Sequence, residues 1–167
     1  LEKEALASEP FKCFIDVDNA AFETAGNLPR RVKEFCERTG QYVPKTRGEV
    51  MRCIYQSLAM KYKYTFNMLS KLGDKKYSRI NILGGGIKDR LLCQMAADAC
   101  NAEVLAGPSE ATVMGNIAVC FEALGEIADF AGIRKVVSDS TELKRYVPAE
   151  NDLWEKAYAD YIKILSV

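Results

Sequence analysis

The chain has 167 residues and 18.6 kDa, the size of one ordinary domain, with 49% apolar and 28% charged residues. That is enough to bury a real core, and it excludes intrinsic disorder. The 23 basic and 23 acidic side chains cancel, which leaves no electrostatic footprint for nucleic acid, and no apolar run approaches the roughly 18 residues of a membrane span. No histidine is present, so Ser-His and Cys-His nucleophiles and histidine metal sites are all removed. The chain starts at Leu1 with no basic-then-apolar leader behind it, and a soluble chain, a piece of something longer, is expected.

The first ten residues read as a loose lead-in, followed by a short apolar run over 11–15 and the turn formers Asp16, Asp18 and Asn19. Asn27 ahead of Leu28 and Pro29 announces a helix that Gly40 ends. Tyr42, Val43 and Pro44 form an extended connector. Thr46 and Glu49 fit a capping box. Behind them Val50, Met51, Ile54, Tyr55, Leu58, Tyr62, Phe66, Leu69 and Leu72 recur at helical spacing up to Gly73, as one core-facing stripe.

Residues 79–83 read as a buried strand, followed directly by Gly84, Gly85 and Gly86. A helix through Leu91, Leu92, Met95, Ala96 and Ala99 comes next, then a second strand over 103–106 closed by Gly107 and Pro108. Ser109 and Glu110 open another helix with Val113, Ile117, Ala118, Phe121 and Leu124 on its face. A further helical segment spans 127–137, and Asn151 or Asp152 caps a last helix through Trp154, Tyr158, Tyr161 and Leu165. The middle of the chain is therefore an α/β unit with a short parallel sheet among many helices. The six cysteines, Cys13, Cys36, Cys53, Cys93, Cys100 and Cys120, include no CxxC pair. Small buried thiols are expected, with a Cys36–Cys53 disulfide as the lesser alternative.

Glycines between a strand and a helix permit a sharp turn and close approach of a ligand to the backbone, and the following helix adds N–H groups and a positive dipole end. A tight turn that binds nothing reads equally well. The stretch is neither G-x-G-x-x-G nor a Walker A loop. Glu110 reads first as an acid placed by the helix dipole.

Several motifs in order carry a resemblance. They are the glycine turn at 82–86, the helix over 91–100, the run from Ala106 through Gly107, Pro108, Ser109, Glu110, Ala111 and Thr112, and the pair Gly115-Asn116, with 40–44 and 52–59 upstream. Together they closely resemble the C-terminal domain of sugar kinases of the FGGY family, the rhamnulokinase group in particular. The resemblance implies a partial actin-like (ribonuclease H-like) ATPase domain filling residues 1–167, with the N-terminal sugar-binding domain absent. It implies ATP and magnesium as cofactors, and a small ketose sugar, L-rhamnulose, as the acceptor in the parent protein.

Gly84, Gly85 and Gly86 would lie against the adenosine part of ATP, Gly85 most directly. Lys88 and Asp89 stand where the family usually has Gln and Asn beside the adenine, and Asp89 cannot donate the hydrogen bond an Asn amide would. A solvated helix start is the other reading of Lys88 and Asp89. No catalytic residue and no metal ligand is expected within the chain, so the fragment alone is expected to be inactive. Another sugar kinase of the family, of xylulose or autoinducer type, and a helical interaction module are the alternatives. Self-association through an uncovered edge or apolar face is a further expectation.

Overall fold

Helix α3 (Arg47–Leu72) is the axis on which the other elements pack, in a computed structural model that describes residues 1–149 and 152–165. Its start is the expected capping box. Thr46 Oγ1 accepts the Glu49 N–H at 3.2 Å, and Glu49 Oε2 accepts the Thr46 and Lys45 N–H groups at 3.0 and 2.6 Å. The buried face of α3 is rotated from the apolar stripe. Val50, Cys53, Gln56, Ser57, Met60 and Lys63 are buried, whereas Leu69 and Leu72 are exposed.

Three of those buried residues are polar because they satisfy backbone groups of other segments. Residues 11–15, an apolar run with no strand partner, hang on side chains. The Phe11 N–H donates to Gln56 Oε1 at 2.8 Å, the Ile15 N–H to Ser57 Oγ at 2.9 Å, and the Phe14 N–H to Gln41 Oε1 at 2.8 Å. Lys63 Nζ donates to the Ala99 carbonyl at 2.8 Å and pairs with Glu155 at 2.6 Å. Buried backbone groups must find partners, and here side chains on α3, with Gln41 of the connector before it, replace a sheet ladder.

The lead-in is itself a helix, α1 (Glu2–Ala7), against expectation. It lies so close to α3 that a Cβ on Gly48 would sit 2.5 Å from the Glu4 carbonyl oxygen, and Arg47 Nε meets Glu4 Oε2 at 3.0 Å. Helix α2 (Leu28–Arg38) starts as expected, with Asn27 Oδ1 accepting the Arg30 N–H at 3.1 Å, and it buries Val32, Phe35 and Cys36.

Strand β1 (Arg79–Ile82) and strand β2 (Glu103–Ala106) pair in parallel, from Arg79 opposite Glu103 to Ile82 opposite Ala106, with helix α4 (Arg90–Cys100) as the crossover. A third strand, β3 (Lys144–Tyr146), joins β2 antiparallel with Val104 opposite Tyr146. The sheet is therefore mixed, not purely parallel. Lys144-Arg145-Tyr146 has no apolar run to announce a strand. Strand β1 is an edge rather than a buried strand, since Arg79 and Asn81 are exposed and Ile82 is covered.

Helices α5 (Ala111–Ala123) and α6 (Phe130–Asp139) follow β2, with Asp129 Oδ1 capping α6 at the Gly132 N–H, 2.8 Å away. The expected face of α5 is largely uncovered. Ala118 is buried, but Val113, Ile117, Phe121 and Leu124 are exposed. Helix α7 (Asp152–Ile164) returns to the main core, where Trp154 packs edge-on against Phe11 at 4.9 Å and Tyr161 against Phe14 at 5.9 Å. Asn151, the other expected cap of α7, lies outside the described residues.

The main core joins residues 13–15 with α2, α3, α4 and α7, and a smaller one lies under the sheet at Ile82, Cys93, Ala96, Val104 and Ala106. All six cysteines are free thiols, so Cys36 and Cys53 are not bridged; five are buried, and Cys120 is exposed, against expectation. Among the described residues no helix is long and apolar enough to cross a membrane.

Candidate functional site

The two parallel strands end side by side, and their exits are tied together. The Gly84 N–H donates to the Pro108 carbonyl at 3.0 Å and the Gly107 N–H to the Ile82 carbonyl at 2.9 Å. The Gly107–Pro108 peptide bond is cis. A cavity of about 210 Å³ opens at this point, lined by Leu83, Gly84, Ser109, Glu110, Ala111 and Thr112. The carboxyl ends of parallel strands are where open α/β sheets bind ligands. The cavity is smaller than the roughly 300–1,000 Å³ of a complete small-molecule pocket, and one wall of a cleft is what such a size describes. A larger groove of about 410 Å³ lies along Leu28, Pro29, Val50, Met51 and Ile54, but its walls are mostly apolar and include no residue of the strand ends or the glycine turn.

The glycines form a tight 3-10 turn, Gly84–Lys88, before α4 begins. Gly84 has φ +76°, a conformation open to glycine and costly to residues with a Cβ. Gly85 is exposed, and a Cβ built on it would meet nothing within 4 Å, so packing does not demand a glycine there. A Cβ on Gly86 would touch only Ile82 Cγ2, at 3.7 Å. Of the expected site residues, Gly84 lines the cavity, while Gly85, Gly86 and Lys88 are exposed along the turn beside it.

Asp89 is engaged on both oxygens. Its Oδ1 accepts the Leu92 N–H at 3.0 Å as the N-cap of α4, and its Oδ2 accepts the Tyr55 hydroxyl at 2.8 Å. Burial, then the hydrogen bond to the Asp89 carboxylate, pushes the Tyr55 phenol up to about 12. The helix-start reading of Asp89 thus has its partners in place, and the first turn of α4 is capped rather than open.

The uncapped helix start at the cavity is that of α5, whose N-cap Glu110 makes no side-chain capping bond. Sequence reasoning gave Glu110 to the helix dipole and passed over Ser109 and Thr112. A usable signal was present, because the second strand repeats the pattern of the first, strand then glycine turn then helix. Among the described residues the only group of three side chains able to hold a metal ion is a cysteine cluster elsewhere in the fold, so the cavity wall offers a metal no more than the single carboxylate of Glu110.

Comparison with known proteins places this geometry. Residues 1–124 match the C-terminal domain of the FGGY family of carbohydrate kinases. The rhamnulokinase of Bacteroides thetaiotaomicron is 37% identical over 158 residues, covering 95% of this chain and 33% of that protein. The rhamnulokinase of Bacillus subtilis is 34% identical over 152 residues, covering 91% and 31%. The chain thus spans about a third of the length of the curated relatives it matches.

Among solved structures, the xylulose kinase from Rhodospirillum rubrum superposes with a TM-score of 0.58 at 20% identity, covering 76% of this chain and 26% of that one. A gluconate kinase from Lactobacillus acidophilus gives 0.57 at 21% identity, covering 74% and 26%. These likenesses establish the fold, part of the actin-like ATPase architecture of sugar kinases. With the domain match over most of its length, the chain belongs to the FGGY family of carbohydrate kinases.

Proposed function

We propose that this chain is the nucleotide-side portion of an ATP-dependent kinase that phosphorylates L-rhamnulose at its terminal hydroxyl. The observation that carries the reading is the cavity between the glycine turn and the start of α5, at the ends of the parallel strands, in a member of this family whose relatives include rhamnulokinases. In this reading Gly84, Gly85 and Gly86 receive the adenosine part of ATP, with Gly85 giving the closest approach. Lys88 stands at the rim, and Asp89 holds the turn in shape. Magnesium would be bound through one or two carboxylates and substrate phosphates, and Glu110 is the carboxylate that this wall would offer it.

Phosphoryl transfer needs the γ-phosphate, the metal and the acceptor hydroxyl held in line. The sugar site, the phosphate loops and the proton-accepting carboxylate belong, in this reading, to a domain beyond these 167 residues. The chain alone carries no catalytic residue and is inactive, and the parent enzyme works in the cytoplasm.

The test is ADP release by the longest chain the gene encodes, with L-rhamnulose beside L-fuculose, D-xylulose and glycerol. Selective turnover of L-rhamnulose is expected, with none by the 167-residue chain. Turnover of another sugar would keep the family and overturn the substrate. Thermal melting of this chain with Mg-ADP at one hundred times Kd should show about 2.7 kcal/mol of stabilisation. The uncovered apolar face of α5 favours a second reading, a helical interaction module, and a folded chain that Mg-ADP fails to stabilise would support it.

A further inference from the structure

Cys13, from the extended segment, Cys36, on α2, and Cys53, on α3, converge in the main core with their three sulfur atoms within 4.8 Å of one another. All three are buried, at 5%, 0% and 2% exposure. We propose that they form a tris-thiolate site for one thiophilic metal ion of the zinc class. The proposal is independent of the nucleotide reading, because the cluster lies in the main core, apart from the glycine turn and its cavity.

The geometry suits such an ion. With zinc–sulfur bonds of about 2.3 Å, three sulfurs around one centre lie about 4 Å apart, so the cluster needs to close by less than about 1 Å. The donor set is pure sulfur. Thiolates select soft ions such as zinc and disfavour magnesium and calcium.

The surroundings supply what a three-coordinate centre lacks. A small pocket of about 10 Å³, room for roughly one water, is lined by both Cys13 and Cys53 and also by Arg52 and Gln56. Gln56 is 1% exposed, and its Nε2 has no hydrogen-bond partner; Arg52 Nε is likewise buried and unpartnered. A zinc site with three protein ligands keeps a fourth position for water, and this pocket, whose lining includes the two side chains with unpaired donors, is where such a water or hydroxide would sit. A divalent ion on three thiolates carries a net negative charge, and the pocket wall holds two cations, Lys12 and Arg52, beside two carboxylates, Glu9 and Glu49. Binding displaces to solvent the thiol protons that the cluster still holds and changes no oxidation state. The ion would cross-link the lead segment, α2 and α3.

The experiment titrates the reduced full chain with Cd(II) without oxygen, reading sulfur-to-cadmium charge-transfer absorption, and then with Zn(II) against a chromophoric chelator. One equivalent is expected to bind. Cys13→Ser and Cys53→Ala should each weaken binding at least tenfold, and Cys120→Ser, which removes the exposed thiol, should leave it unchanged. A readout without variants is alkylation mapped by mass spectrometry. One equivalent of Zn(II) should slow modification of Cys13, Cys36 and Cys53 at least tenfold and leave Cys120 reactive. Absence of saturable one-to-one binding, or equal protection of all six cysteines, would overturn the proposal. So would a reduced chain that takes up no metal and closes a Cys36–Cys53 disulfide on oxidation.

Discussion

The Tyr55 hydroxyl donates to Oδ2 of Asp89 at 2.8 Å while Oδ1 of the same carboxylate takes the Leu92 N–H at 3.0 Å. One side chain thereby fastens the glycine turn to the long helix α3 and to the first turn of α4. Losing the phenol leaves the cap intact but frees the turn from α3. Tyr55→Phe should cost about 1 kcal/mol at neutral pH, measured by chemical denaturation. Its phenol is raised from the ordinary value near 10 to about 12. Between those values the unfolded chain loses the proton and the folded chain keeps it, so this contribution is complete below about pH 10 and is lost as pH rises to about 12. The stability difference between the parent and Tyr55→Phe should shrink across that window. A difference constant with pH would remove Tyr55 from the argument.

Lys63 offers an asymmetric test. It is 3% exposed, with its ammonium on the Ala99 carbonyl, on Glu155 and 5.2 Å from the Tyr158 ring centre. Glu155→Ala leaves a buried cation short of its counter-ion, whereas Lys63→Met removes the charge and keeps the volume. Glu155 is half exposed but Lys63 is buried, and leaving a buried charge short of its partner is worse than replacing that charge. Glu155→Ala should therefore cost about 2 kcal/mol and Lys63→Met about 1 kcal/mol or less. The reverse order by equilibrium unfolding would refute this.

Gly48 is required by distance rather than by backbone angle. A methyl there would stand 2.5 Å from the Glu4 carbonyl oxygen and 2.7 Å from Ser8 Oγ, and a backbone atom cannot swing aside. Gly48→Ala should lift α1 off α3 at a cost of about 1–3 kcal/mol, seen as faster proteolysis within residues 1–10. Unchanged cleavage would mean that α1 is not held by this contact.

Much of this architecture was legible from local signals, and the misses share a cause. The Asn27 cap, the Thr46–Glu49 box, the Gly73 stop and the second strand are set by neighbours a few residues apart, and the sequence announces them. Helix α1 was invisible because its partner surface at Gly48 is more than 40 residues away. The face of α3 was misjudged because periodicity counts apolar residues, whereas Gln56, Ser57 and Lys63 are buried to serve distant backbone groups. At the site, the glycine turn stood out by composition. Glu110 and Thr112 did not, since their importance comes from the pairing that brings the end of β2 beside that of β1.

Gly84 and Gly85 should respond differently to substitution. Gly84→Ala forces a Cβ into φ +76°, at about 1 kcal/mol. The Cβ of Gly85→Leu meets nothing within 4 Å at an exposed position, so the change should alter stability by less than about 0.5 kcal/mol, yet abolish the melting shift produced by Mg-ADP. A retained shift in a folded Gly85→Leu chain would place the nucleotide elsewhere.

Ile117, Phe121 and Leu124 leave α5 with an apolar face in water, at 51%, 47% and 75% exposure. Concentrated chain should self-associate through it. Phe121→Glu should lower the weight-average mass in sedimentation at unchanged thermal stability. A monomer at all concentrations would contradict this.

The two walls of the cavity are held with unequal firmness. The glycine wall is pinned through Asp89 to α3, whereas the opposite wall begins a helix that buries Ala118 alone. If a ligand fills the cavity and orders the α5 wall as it binds, that ordering would subtract from its affinity. Anything that packs on the outer face of α5 settles the same wall beforehand. On that condition it would strengthen binding without touching the ligand, and by reciprocity a bound ligand would strengthen that packing by the same factor. The measurable sign of such a coupling is a Mg-ADP affinity that rises with chain concentration as copies cover the bare flank of α5.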